Sequence, residues 1–205
     1  TCALLSDSSV KCWGENQFLG SSAGENGSGS KGDGYLEMGV GISPIDIGSW
    51  SAQSISSGTS HACSILNDTT SDALVCWGEN SHGQLGLEHT NTVGDESSDL
   101  IGGELPHVDL PSRGSGLAQV SSGKGHTCVL WNDGEIACWG SNDYGQLGIG
   151  NTDTIGDQSN EMGESLTLVD LPSGRVAVYV AAGDDMTCAI LDNEELACWG
   201  RGTHG

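Results

Sequence analysis

Residues 123–148 read GKGHTCVLWNDGEIACWGSNDYGQLG, and this stretch decides the fold. A close copy, GTSHACSILNDTTSDALVCWGENSHGQLG, occupies residues 58–86, and shorter copies occupy residues 1–20 and 183–205. The tripeptide Cys-Trp-Gly recurs at intervals of 64, 62 and 60 residues, beginning at Cys12, Cys76, Cys138 and Cys198. Such regular spacing predicts a repeat architecture in which each copy is one supersecondary unit.

Each copy contains a predicted β-hairpin. Residues 132–134, Asn-Asp-Gly, form a three-residue turn in which the glycine is free to adopt a positive φ. Folding about this turn places Leu130 opposite Ile136 and Cys128 opposite Cys138, on one face of the sheet. The same count gives the aliphatic pairs Leu4–Val10 and Ile190–Leu196, and in the second copy, where three extra residues lengthen the turn, Ile65 lies opposite Leu74. The tryptophan after each second cysteine points to the other face. A lone hairpin cannot bury two faces, so the pattern predicts sheets stacked radially, as in a propeller.

The eight cysteines fall opposite one another in this register, and no cysteine is left over. Directly opposed residues of a non-hydrogen-bonded pair suit a disulfide. The predicted bonds are Cys2–Cys12, Cys63–Cys76, Cys128–Cys138 and Cys188–Cys198. Disulfides persist in oxidising compartments, so we expect a protein that is secreted or displayed at the cell surface.

Zinc is the competing interpretation of the cysteines, because His61 and His126 each lie two residues before one. The cysteines of a pair are separated by nine residues in three copies and by twelve in the second, which does not match short zinc-knuckle spacing, and Met186 replaces the histidine in the fourth copy. We interpret the repeated histidine as a structural hydrogen-bond donor in the glycine-rich corner, and the repeated tryptophans as packing. A catalytic site needs a unique constellation, which the repeats do not offer, so no enzyme activity is predicted.

The pattern Gly-x-x-His-x-Cys, then a hairpin, then Trp-Gly-x-Asn-x-x-Gly-Gln-Leu-Gly resembles the RCC1 repeat family. The residues that carry it are His61, Trp77, Gly83, Gln84, Leu85 and Gly86 in one copy, His126, Trp139, Gly145, Gln146, Leu147 and Gly148 in the next, and Trp199 in the last. The resemblance implies an all-β propeller whose members usually close seven four-stranded blades. Here we expect one repeat domain over 1–205, divided into 1–20 (partial), 21–86, 87–148 and 149–205 (truncated). About three repeats predict an open arc, with apolar faces at its ends that favour self-association.

The charge balance sets the class of partner. Six Lys and Arg residues oppose 28 Asp and Glu residues, a formal net charge of -22. Such a field repels phosphate backbones and anionic lipid, so nucleic-acid partners are not expected. No apolar run approaches the length of a membrane span, so membrane insertion is not expected. Basic protein surfaces remain, and a protein-binding scaffold is the function that we predict. The chain starts at Thr1 with no visible leader, so we expect either a removed leader or a segment of a longer polypeptide.

The family is functionally mixed. It includes a nuclear exchange factor for a small GTPase, a plant ultraviolet photoreceptor and a secreted inhibitor of β-lactamases. The photoreceptor uses tryptophans near the Gly-x-x-His corner, and that corner here carries no aromatic residue. Paired cysteines and strong negative charge argue against an exchange factor. A secreted enzyme inhibitor stays open as the alternative, with Trp50, Trp131, Tyr35 and Tyr144 as the few candidate anchors.

Long acidic inserts follow the Gly-Gln-Leu-Gly segments. A recurring Gly-Asp step inside them predicts ordered loops that face a partner. Clustered carboxylates also suit Ca²⁺, for which Asp95, Asp157 and Glu161 are weak candidates. The inserts match no standard calcium motif, and no other cofactor is predicted.

Overall fold

The computed structural model of the chain describes residues 1–14, 41–68, 70–94 and 105–202. Within these ranges the chain forms eleven strands, one 3-10 turn at Gly163–Ser165 and no α-helix. The strands are β1 (Cys2–Leu4), β2 (Val10–Cys12), β3 (Ser51–Ser57), β4 (His61–Asn67), β5 (Asp72–Gly78), β6 (Leu117–Ser122), β7 (His126–Trp131), β8 (Ile136–Gly140), β9 (Ala177–Ala182), β10 (Met186–Leu191) and β11 (Leu196–Gly200). No helix in the described ranges is long and apolar enough to cross a lipid bilayer.

The strands form four antiparallel sheets in chain order. Sheet 1 pairs β1 with β2, sheet 2 has the order β3-β4-β5, sheet 3 the order β6-β7-β8 and sheet 4 the order β9-β10-β11. Isolated bridges add a short fourth segment to sheets 2 and 3, as in a propeller blade. They join Val75 to His107, Gly78 to Val93, Ala137 to Leu168 and Gly140 to Ile155. The predicted all-β partial propeller is therefore confirmed, whereas the exact limits of the repeats stay a prediction.

The hairpin register agrees with the sequence count. Leu130 lies opposite Ile136 and Cys128 opposite Cys138 in sheet 3, and the corresponding pairs form in the other three sheets. Gly134 closes the sheet 3 turn with a φ of 84°. That backbone conformation is strained for residues with a Cβ, which explains the glycine there.

The core lies between the sheets. Sheets 2 and 3 turn their cysteine faces toward the following sheet, and sheets 3 and 4 turn their tryptophan faces toward the preceding one. Cys63 Sγ lies 3.9 Å from Thr127 Oγ1 of sheet 3, and the indole of Trp139 reaches back to the segment that follows sheet 2. Trp77 and Trp139 are fully buried in these stacks. Burial of such large apolar surfaces is the main favourable contribution to the stacking of the sheets.

Sheet 4 has one open face in this chain. Ile190 and Leu196 of that face are 41% and 67% exposed, whereas their sheet 3 counterparts Leu130 and Ile136 are 3% and 0% exposed. Sheet 4 packs on the face of sheet 3 that carries Leu130 and Ile136, whereas no sheet in the described residues packs on the equivalent face of sheet 4. An open arc and self-association through such a face stay predictions.

Candidate functional site

A hydrogen-bonded chain of four residues links sheet 2 to sheet 3, and an equivalent chain links sheet 3 to sheet 4. His61 Nε2 of sheet 2 lies 2.8 Å from Thr127 Oγ1 of sheet 3. Thr127 Oγ1 donates to the backbone oxygen of Gln84 at 2.8 Å, and Trp139 Nε1 donates to the same oxygen at 3.0 Å. All four residues are buried. The histidine and the glutamine belong to one repeat and the threonine and the tryptophan to the next, so we call this set the inter-blade relay.

The relay recurs one blade further on. His126 Nε2 lies 2.9 Å from Thr187 Oγ1, which donates to the backbone oxygen of Gln146 at 2.8 Å. Trp199 Nε1 donates to that oxygen at 2.9 Å. The histidine thus connects neighbouring sheets, whereas the sequence placed its hydrogen bond inside its own glycine-rich corner.

The relay fixes the tautomer of both histidines. Because the threonine hydroxyl donates its proton to the glutamine carbonyl, the histidine Nε2 must carry the proton that it shares with the threonine. Nδ1 of both rings is buried and has no hydrogen-bond partner among the described residues. Burial lowers the pKa of His61 to about 3, and burial lowers that of His126 to about 4 against the opposing charge of Asp185. Both rings are therefore neutral at physiological pH, and water does not reach them.

The glycines of the corner are required by close approach. A Cβ on Gly58 would lie 2.0 Å from the backbone oxygen of Gly123 and 3.0 Å from the His61 ring. A Cβ on Gly123 would meet the backbone oxygen of Gly183 at 2.4 Å. The corners also bond to each other, since Thr59 N donates to Gly123 O at 3.2 Å.

The Asn-x-x-Gly-Gln-Leu-Gly segment is a self-supporting loop that presents the relay carbonyl. Asn80 Oδ1 accepts from Leu85 N at 3.0 Å, and Gln84 Oε1 accepts from His82 N at 2.8 Å. Gly83 and Gly86 have φ values of 71° and 68°. The equivalent bonds form one repeat later from Asn142 to Leu147 N and from Gln146 to Tyr144 N. The repeated asparagine and glutamine side chains therefore serve the scaffold.

The four disulfides join the pairs that the register predicts. Their Cα–Cα distances are 4.0 Å for Cys2–Cys12 and 4.1 Å for Cys63–Cys76, Cys128–Cys138 and Cys188–Cys198. No cysteine is free. Those of sheets 2 and 3 are fully buried against the following sheet, so they fill the inter-blade core as well as crosslink the hairpins.

Comparison with known proteins agrees with this geometry. Two profiles described as "Regulator of chromosome condensation (RCC1) repeat" match the chain, one at residues 72–130 and 133–190 and the other at 117–146 and 177–205. The chain belongs to the RCC1 repeat family.

Individual relatives give the same result. The ultraviolet-B receptor UVR8 of Arabidopsis thaliana is 30% identical over 205 residues, which are all of this chain and 40% of the receptor. Human WBSCR16 superposes with a TM-score of 0.68 at 21% identity, over 98% of this chain and 46% of that one. Yeast RCC1 (Prp20), solved bound to Kap60, superposes with a TM-score of 0.63 at 21% identity, over 95% and 40%. The chain thus spans less than half the length of each of these three proteins.

The acidic inserts of these RCC1 repeats pack on one another where they are described. Glu161 Oε2 accepts from the backbone N–H groups of Gly156 and Gln158, at 2.8 and 3.0 Å. Glu88 Oε1, from the preceding insert, accepts from Glu161 N and Met162 N at 2.9 and 3.2 Å. The inserts were expected to be ordered and to face a partner, and these carboxylates instead bond to backbone.

The calcium candidates do not come together in the described residues. The Glu161 carboxylate accepts hydrogen bonds from the backbone on either side of Asp157, at Gly156 and Gln158. Asp95 lies outside the described residues. Across the ranges that the structure covers, no group of three or more His, Cys, Asp or Glu side chains is arranged to hold a metal ion.

The aromatic candidates for an anchor occupy different places. Tyr144 is 46% exposed, with the Arg201 guanidinium 4.7 Å from its ring centre. Trp131 is buried beneath Arg113, whose guanidinium carbon lies 5.4 Å from the ring centre. Trp50 stacks edge-on against His107, and Tyr35 lies outside the described residues. The four do not form one anchor surface.

Sequence reasoning missed the threonines of the relay. Thr127 and Thr187 each precede the first cysteine of a copy, as Thr1 does, whereas Ala62 fills the position in the second copy. Threonine in three of four copies was the available signal. Trp77 Nε1 has no acceptor among the described residues, and Phe18, which precedes the Leu-Gly step of the first copy as Gln84 does in the second, lies outside them.

Proposed function

We propose that this chain is an extracellular, non-catalytic RCC1-repeat module that binds a protein partner. The observation that carries the proposal is the inter-blade relay. In this relay the neutral rings of His61 and His126 each hydrogen-bond to a threonine of the next blade. A general base needs access to a substrate proton, and these rings have none. The repeats therefore supply a rigid platform, and binding belongs to groups outside the repeat pattern.

The disulfides support an extracellular location. Four disulfides account for all eight cysteines. Cytosolic thiol buffers would reduce most bonds of this kind, so their abundance favours an oxidising compartment.

Two observations support a protein as the partner. Yeast RCC1, a structural neighbour, is solved with the protein Kap60 bound, so a protein that contains this fold can bind a protein partner. The net charge of -22 opposes nucleic acid and favours association with basic protein surfaces.

The location and the partner can be tested on intact producing cells. Lys124 is exposed and offers a primary amine. A membrane-impermeant amine-reactive cross-linker should join the chain to a protein without cell lysis. The Lys124→Arg variant keeps the charge and removes the reactive amine, so it should lose the cross-link made at this position.

Two results would contradict the proposal. Labelling that requires lysis would place the chain inside the cell. A turnover that disappears in a His61→Gln or His126→Gln variant with an intact fold would assign chemistry to the relay.

A further inference from the structure

Two of the six tryptophans stand outside the Cys-Trp-Gly repeats, and both border the same cavity. Trp50 and Trp131 line an open cavity of about 720 Å³ at the hairpin-turn end of sheets 2 and 3. The linker between these sheets, residues 107–117, forms much of its wall. We call this cavity the tryptophan groove. Its volume lies in the range that ligand sites occupy.

The tryptophans depart from what the repeat needs for packing. The position three residues after the first cysteine is Trp131 in one copy and leucine in the other three, Leu5, Leu66 and Leu191. Trp50 precedes by two residues the strand position that pairs with Leu66. In sheet 3 Leu117 pairs with Trp131, and the residue two before it is Ser115. In sheet 4 Ala177 pairs with Leu191, and the residue two before it is Arg175. The other copies fold with leucine at the Trp131 position and with a polar residue at the Trp50 position. Packing of the repeat therefore does not require either tryptophan, and both are particular to this groove.

The groove presents an aromatic surface. Trp50 is half-buried, and its ring centre lies 5.1 Å from that of the exposed His107, with an interplanar angle of 86°. The edge-on contact holds the indole in place. Trp131 lies deeper and is covered by Arg113, so Trp50 and His107 form the accessible part of the surface.

The charge of the groove is negative. Among the described residues, Arg113 is the only lysine or arginine that lines it. Its guanidinium pairs with Asp133 at 3.3 Å and with Glu135, so carboxylates outside the groove neutralise it. Asp72 and Asp109 remain on the wall, and the chain adds a net charge of -22. The net charge of the chain therefore attracts a cationic ligand from a distance, and the wall carboxylates attract it once it is in the groove.

We propose that the tryptophan groove binds an arginine side chain of an extended, basic segment of the partner protein. The guanidinium would stack on Trp50 and pair with a wall carboxylate, a combination that suits arginine better than lysine. This inference rests on the proposed function, in which the partner is a protein. A neutral oligosaccharide also stacks on indole rings, but it would gain nothing from the carboxylates or the net charge.

The test uses a short arginine–glycine peptide as the probe, with the whole chain and intact disulfides. Its citrulline counterpart keeps the shape of the side chain and removes the charge. Calorimetry at about 0.15 M salt, where distant charges are screened, should detect the arginine peptide and not the citrulline peptide. The Trp50→Leu variant should weaken binding roughly 5- to 30-fold.

Matched variants separate the groove from diffuse attraction. Asp109 and Asp170 occupy the same Val-Asp-Leu-Pro sequence in successive repeats, and both are exposed. Asp109→Asn should weaken binding several-fold, whereas Asp170→Asn should change it less than about twofold because the groove does not include it. Tyr144→Leu removes an exposed aromatic residue elsewhere and should have no effect. Unchanged circular dichroism and unfolding midpoints show that each variant is folded.

Three results would overturn the inference. They are equal losses from Asp109→Asn and Asp170→Asn, full affinity in Trp50→Leu, and binding of a soluble oligosaccharide in place of the peptide. No peptide binding in a chain that still cross-links to a protein on cells would refute the groove and leave the proposed function standing. Absence of any protein cross-link would refute the proposed function itself.

Discussion

Removing the relay hydroxyl should destabilise the interface between sheets 2 and 3. In the Thr127→Val variant the shape is retained and Oγ1 is lost. His61 Nε2–H, in a residue only 3% exposed, then has no acceptor, and the Gln84 carbonyl keeps Trp139 alone. An orphaned buried donor costs about 1–3 kcal/mol and the lost bond about 1 kcal/mol more, so we expect a loss of about 2–4 kcal/mol.

Urea unfolding at neutral pH with the disulfides intact measures this loss. At a slope of about 2–3 kcal/mol per molar, the midpoint should fall by about 0.7–2 M. Thr127→Ser keeps the hydroxyl and should cost only about 1 kcal/mol, the value of a buried methyl group. Thr167→Val, on the surface, should stay within about 0.5 kcal/mol of the parent. A Thr127→Val variant as stable as the parent, or a serine variant as unstable as the valine variant, would refute the relay.

Three further predictions follow from the same structure. The pKa values of His61 and His126 are about 3 and about 4 in the folded chain, below the unfolded value of about 6.5. The two neutral rings therefore contribute fully to folding stability above pH 6.5, and this contribution is lost as the pH falls toward the folded pKa values. Each histidine should lower the free energy of unfolding by about 2 kcal/mol at pH 5 relative to neutral pH, measured by urea unfolding at constant ionic strength. The same loss of stability between neutral pH and pH 5 in the parent chain and in a His61→Gln variant would contradict this. Peptide mapping without reduction should return the four intra-hairpin disulfides, and alkylatable thiols or a bond between hairpins would disprove them. Glu88 and Glu194 both have positive φ, 58° and 67°, but Glu88 alone caps the next insert. Glu194→Gly should therefore be neutral or stabilising, whereas Glu88→Gly should speed hydrogen exchange at Glu161 and Met162, and equal exchange in both variants would contradict the cap.

The sequence predicted the hairpins because their signals are local. One turn centred on Asn132–Gly134 places every later pair, including Cys128 opposite Cys138, and the count transfers to the other copies. The repeat interval then predicted the stacking of sheets, since a two-faced hairpin needs a neighbour on each side.

The contacts between blades could not be read in the same way. His61 and Thr127 are 66 residues apart, and their contact depends on how two sheets pack face to face. The aromatic groove was missed for the same reason. Trp50 and Trp131 were both noted in the sequence as candidate anchors, but only the fold shows that they line one cavity and that Trp131 is covered by Arg113.

We propose that the repeated histidines hold the blades together and take no part in chemistry. Long-range proton–nitrogen NMR correlation of the histidine rings tests it most directly, because the relay requires one tautomer in one charge state. We expect His61 and His126 to be neutral, protonated at Nε2 and unprotonated at Nδ1, from about pH 7 down to about pH 5. An imidazolium signal in that range, or a proton on Nδ1, would contradict it.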